Sequence, residues 1–139
     1  MGEYLTRWRG ICHALNIKPY DWQTAYALCG TCERWPRERH SGRTTAVILH
    51  ALMINPSYAS DLVKLFLADI DAGPGTNHLK KFLWLYDQYK ECADKCRAAG
   101  IEVYDIRKHS VQHVVSEMQR YRAAIQRSIE EGYRDVPRP

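Results

Sequence analysis

Leu5, Trp8, Cys12 and Leu15 recur every three or four residues, and this spacing predicts a first amphipathic helix over 3–15. The stretch from Asn16 to Tyr20 holds Pro19 and interrupts it. Asp21 is placed to cap a second helix, with Trp22, Ala25, Tyr26, Cys29 and Cys32 on one face and Pro36 at its end. A third helix starts near Ser41 or Thr44 and carries Val47, Ile48, Ala51 and Leu52 inward. Asn55-Pro56 stops it, and Ser57 can cap a fourth.

Residues 58–70 are the ambiguous part of the pattern. The run "VKLFLA" has strand composition. Yet Ala59, Leu62, Val63, Phe66, Leu67 and Ile70 share one helical face, and Ser60, Asp61, Lys64 and Asp69 share the other. Leu65 is the misfit, so helix is the better description. "DAGPGTNH" then reads as a loop. A long helix follows from Thr76 to Ala99, with Leu79, Phe82, Leu83, Tyr86, Ala93 and Cys96 inward and Trp84 and Tyr89 pointing elsewhere. Gly100 supplies a left-handed cap. "IEVYDI" at 101–106 is short and extended. Ser110 caps a last helix lined by Val111, Val114, Val115, Met118, Ile125 and Ile129, leaving His109 outside it, and Gly132 ends it. The expected fold is mainly α: one domain of five or six helices over 1–132, and a loose tail over 133–139.

Length and composition agree with this picture. A chain of 139 residues with 45% hydrophobic and 26% charged residues suits one self-sufficient core. The net charge of +4 permits an acidic partner without requiring one. No stretch has the apolar length of a membrane span. The first ten residues carry no apolar signal region, and five cysteines cannot all pair within one chain, so free thiols in a reducing cytoplasm are expected.

One segment carries candidate chemistry. "RERHSGRTT" at 37–45 runs directly into the apolar third helix. Gly42, Arg43 and Thr44 stand where the last three residues of a phosphate-binding loop would. Over 41–52 the chain therefore resembles P-loop NTPases, including small phage-type members with Gly-Arg-Thr-Thr. That resemblance implies an α/β fold and a nucleotide site. The residues depart from it in three ways. Arg37 replaces the first glycine, Arg43 replaces the lysine, and the preceding "CERWPRERH" is too charged to be a buried strand. A helix cap beside basic residues is the simpler reading. What remains is an electropositive spot of Arg34, Arg37, Arg39, His40, Arg43 and Thr44, able to meet an anion or a partner's carboxylates.

Cys29-Gly-Thr-Cys32, Cys92 with Cys96, and His109 with His113 have spacings that invite a metal or redox site. The cysteines lie on apolar helical faces, so core packing is the expected role, with no metal and no cofactor. No nucleophile elbow or paired carboxylate stands out, which leaves no catalytic residue to name. The expectation is a non-enzymatic binding protein: a small cytoplasmic regulator or inhibitor that docks on a larger protein or nucleoprotein complex. Phage and mobile-element accessory proteins, including anti-defence proteins, are a class analogy for such chains. The alternatives are a nucleic-acid-binding module built on the basic 34–43 segment and a degenerate P-loop-like nucleotide-binding domain.

Overall fold

The computed structural model describes residues 2–33, 36, 42–70 and 77–135. Among them are six α-helices and no strand. They are α1 (Gly2–Leu15), α2 (Asp21–Cys29), α3 (Arg43–Ile54), α4 (Ala59–Phe66), α5 (His78–Ala98) and α6 (Lys108–Asp135), with a 3-10 turn (Leu67–Asp69) after α4. The mainly α expectation holds. The α/β alternative does not, because Leu62 and Val63 belong to a helix and 101–106 pairs with no strand. No helix among the described residues is long and apolar enough to cross a membrane.

Helix α3 is the centre of the bundle, packed against α1, α2, α4 and α5. Seven of its 12 residues are buried, so it is apolar almost all round, as a fully surrounded helix must be. Asn55 ends it in the left-handed conformation, its N–H bonded to the Ala51 carbonyl. Helix α4 buries Ala59, Leu62, Val63 and Phe66 of the face that the period of 3.6 picked out, while Leu67, predicted on the same face, is exposed and Ile70 half-buried because the turn tightens there. Its N-cap is Tyr58 rather than Ser57, and its α-helical part ends at Phe66. The tighter 3-10 turn then rotates Asp69 from the predicted polar face into the interior.

Other faces are also rotated from their predicted positions. On α1 the fully buried residue is Ile11, while Leu5 is exposed. On α2 the buried residues are Gln23, Tyr26 and Ala27, whereas Ala25 and Cys29 face outward. On α5 Tyr89 is buried edge-on against Phe66, at 6.0 Å between ring centroids, instead of pointing away. Trp84 does point away and lies under the Lys81 ammonium, 4.6 Å from its ring. Helix α1 packs on α3 and α5, and α5 on α1, α3, α4 and α6, so their buried arcs are set by where those neighbours sit, while α2 turns its buried arc to α3.

The segment from Ile101 to Ile106 is extended but has no strand partner. Gly100, at φ +86°, reverses the chain after α5, and the Ile101 N–H closes the turn on the Cys96 carbonyl at 2.9 Å. Side chains then satisfy the segment's backbone. Arg7 Nη1 donates to the Glu102 carbonyl at 2.8 Å, while its Nε and Nη2 hold the Leu52 carbonyl at the end of α3 at 3.2 and 2.7 Å. Arg97 donates to the Val103 and Tyr104 carbonyls, both at 2.9 Å. Asn55 Oδ1 accepts the Tyr104 N–H at 3.0 Å, and the Tyr86 hydroxyl donates to the Ile106 carbonyl. Val103 and Ile106 are thereby held in the core.

Arg7 therefore links α1, the end of α3 and the extended segment through one planar fork. Arg7→Ala should cost roughly 2–4 kcal/mol in urea unfolding, because three charge-assisted bonds disappear and two carbonyls lose partners. Arg7→Lys should recover little, since an ammonium cannot span both carbonyls as the guanidinium does.

Burial also shapes the thiols and phenols near that fork. Cys96 is fully buried, and burial first, then the Cys92 thiol, pushes its pKa up to about 11 from 9.0. Tyr89 is pushed up to about 12 by burial. Both groups are protonated in the folded state at pH values where the unfolded chain ionises them. Their contribution is thus complete below about pH 9 and is lost as pH rises towards 11 for Cys96 and 12 for Tyr89. The urea midpoint should fall across that window, and the fall should be shallower in Cys96→Ala. Tyr89→Phe should flatten it too while keeping stability at neutral pH, because the Tyr89 hydroxyl is buried with no hydrogen-bond partner among the described residues.

Candidate functional site

Of the six residues in the predicted electropositive spot, Arg34, Arg37, Arg39 and His40 lie outside the described residues. Arg43 and Thr44 form the first turn of α3. Gly42 is its N-cap at φ +92°, and no side chain among the described residues caps the helix; Ser41, the other predicted cap, lies outside them. Thr44 does not act as the cap: its hydroxyl donates to Asp69 Oδ2 at 2.6 Å. Arg43 Nε stands 4.0 Å from Asp69 Oδ1. The Asp69 side chain is 4% exposed and that of Arg43 31%. The anion that meets these two residues is a carboxylate of the same chain, delivered by the 3-10 turn.

The local sequence explains why a carboxylate belongs there. Helix α3 has no acidic residue in its first turn, so the positive end of its dipole has no counter-charge of its own. Asp69 supplies one from the next turn in space. Gly42 is needed for two reasons. Its backbone is left-handed, and a Cβ there would lie 2.5 Å from Gln23 Nε2. Gln23 is buried, donates to the Gly42 carbonyl at 3.0 Å and accepts the Tyr20 N–H at 2.9 Å. One amide thus joins the start of α2 to the start of α3. Asp69 and Gln23 were missed from the sequence because both read as surface positions on their own helices. The signal that was present is the paired donors Arg43 and Thr44 at a helix start lacking an acid.

The metal-spacing residues do not converge. Among the described residues, no group of three or more His, Cys, Asp or Glu side chains is arranged to hold a metal. Cys29 is exposed and Cys32 half-buried, in an open groove with Trp22 and Ala25. Cys12, Cys92 and Cys96 are free thiols, each raised in pKa chiefly by burial. His109 lies inside α6, which starts two residues before Ser110, and His113 pairs with Glu117 at 3.0 Å on the helix surface. His50, with no role assigned from sequence, donates from Nδ1 to the Ala27 carbonyl at 2.9 Å and packs edge-on against Tyr26.

The largest departure from expectation is in α6. Val111 and Val115 are buried and Val114 and Met118 half-buried, as predicted. Every residue from Arg120 to Glu131 is exposed, although Ile125 and Ile129 continue the same apolar stripe. The helix does not end at Gly132 but runs 28 residues to Asp135, about 42 Å. Its second half therefore extends past the bundle as an arm. An open groove of about 300 Å³ between α4, α5 and α6 leads onto it, lined in part by Leu67, Phe82, Met118 and Arg122.

No known family, curated protein or solved structure matches the chain.

The Asp69 junction is testable by a double-mutant cycle. Thr44→Ala should destabilise by about 1–3 kcal/mol, more than a lost cap alone, because it leaves a buried carboxylate without its hydroxyl donor. Thr44→Ala on top of Asp69→Asn should cost clearly less than the two changes summed. Additive costs in chemical denaturation would show that the two side chains are not coupled.

Proposed function

We propose that this protein works by binding: a small non-enzymatic regulator or inhibitor, cytoplasmic, that docks on another protein or nucleoprotein complex. The observation that carries this reading is the arm of α6. Tyr121 is 70% exposed, Ile125 42% and Ile129 49%, on a helix whose preceding turns bury the same stripe. An amphipathic helix held at one end by a bundle and uncovered at the other is a standard way to offer a helix to a groove or to another helix. The apolar stripe supplies contact area, and Arg120, Arg122 and Arg127 suit acidic groups on the facing surface. The free thiols fit a reducing compartment. The segment of Arg34, Arg37, Arg39 and His40 remains a candidate second contact with an acidic face.

The test is capture by the immobilised full chain from cells of its source, followed by affinity measurement on the partner recovered. Ile125→Glu with Ile129→Glu should weaken that affinity at least tenfold. Thermal unfolding should stay close to wild type, since exposed substitutions cost within about 0.5 kcal/mol. Full retention of binding in a folded double variant would remove the arm from the mechanism.

A further inference from the structure

Cys29 and Cys32 are set apart from the other three cysteines. Cys12, Cys92 and Cys96 lie within α1 and α5, and burial raises the pKa of each. Cys29, expected in the core, is exposed at the end of α2, and Cys32 is half-buried three residues later. Both line one open groove with Trp22 and Ala25. Only Gly30 and Thr31 separate them, which is the spacing of a dithiol pair.

The backbone between the two thiols suits their closure. Gly30 turns the chain out of α2 at φ +77°, and its N–H bonds to the Tyr26 carbonyl at 2.7 Å. Beyond it, Thr31, Cys32 and Glu33 make no backbone hydrogen bond to any described residue. Residues three apart span at most about 11 Å between Cα atoms, and a disulfide needs about 4.4–6.8 Å. Any adjustment that closure requires therefore falls on backbone that bonds no described neighbour, and α2 keeps its hydrogen bonds. Gly30 also lies against α3: a Cβ there would stand 3.4 Å from His50 Cε1 and Nε2. His50 Nδ1 donates to the Ala27 carbonyl, so in the neutral ring the unprotonated Nε2 faces the turn. A proton acceptor thus borders the turn that carries both thiols.

We propose that Cys29 and Cys32 form a surface dithiol site that reacts with low-molecular-weight disulfides by thiol–disulfide exchange and closes reversibly to an intrachain disulfide. The exposed Cys29 attacks first. Its thiol gives up a proton, its sulfur bonds to one sulfur of the disulfide RSSR, and the S–S bond of RSSR breaks to release one thiol, RSH. Cys32 then loses its proton and attacks the Cys29 sulfur of the mixed disulfide, and the second RSH leaves. The protein pair is oxidised by two electrons, and the small disulfide is reduced to two thiols. In a reducing compartment the pair rests as thiols, and closure marks an oxidising shift.

Incubation of the reduced, folded full chain with hydroxyethyl disulfide, followed by acid quench and peptide mass mapping, tests the proposal. The expected product has lost two hydrogens, carries one link between Cys29 and Cys32, and returns to the starting mass with dithiothreitol. Cys32→Ser should stop at a stable mixed disulfide on Cys29, because the resolving thiol is gone. Cys29→Ser should react roughly tenfold more slowly, since the remaining thiol of the pair is half-buried. A wild-type chain that accumulates a lasting hydroxyethyl adduct on Cys29 with no internal link would overturn the proposal. So would a link made through Cys12, Cys92 or Cys96 in place of the pair, or a Cys29→Ser variant that reacts as fast as wild type.

Discussion

An extended chain segment inside a helical protein must find partners for its backbone, and here arginine supplies them. The segment 101–106 presents its carbonyls to Arg7, Arg97 and Tyr86, and one N–H to Asn55. A neighbouring strand would have done the same work in a sheet. Because these partners come from α1, the end of α3 and α5, satisfying one short segment also sets how those helices meet. The buried Val103 and Ile106, the turn at Gly100 and the direction in which α6 leaves the bundle all follow from it. The exposed ion pairs Lys90–Asp105 and Lys108–Asp87 lie on the same connection and contribute little, about 0–1 kcal/mol each.

The start of α3 obeys the same rule with the opposite sign. A helix N-terminus and two donor side chains call for negative charge, and the fold meets that need internally with Asp69. Glycine, cation and threonine at a helix mouth are what a phosphate site uses. They are also what a buried carboxylate uses, since both are anions held by the same donors. The resemblance over 41–52 is therefore chemical at the level of the helix start, and the fold around it has helices and no strand among the described residues. Gly42 is explained by the close approach of Gln23.

With those two junctions internal, α6 is the element that the fold does not use up. Its first half closes the bundle against α4 and α5, and its second half leaves it with the stripe uncovered. A single helix in water is marginal without tertiary contacts, so an exposed arm of this length gains from being covered.

The sequence by itself determined the number and order of the helices, because apolar periodicity persists over many residues and does not depend on neighbours. The face of α4, the inward residues of α3 and the extended character of 101–106 were legible for that reason. Residues 34, 37, 39 and 40 of the predicted spot lie outside the described residues, and Arg43 and Thr44 stand against Asp69 of the same chain. What met them was decided only in three dimensions. Asp69 reads as a surface acid until a 3-10 turn rotates it inward, and no period within its own helix records that turn. Tyr89 took the side opposite to its predicted one because a helix with several neighbours buries the arc those neighbours subtend, and Cys29 faces outward because α2 turns Gln23, Tyr26 and Ala27 to the core. Ile125 and Ile129 continue the core stripe in sequence but lie beyond the bundle in space, since periodicity reports which face is apolar and not where the partner helices stop.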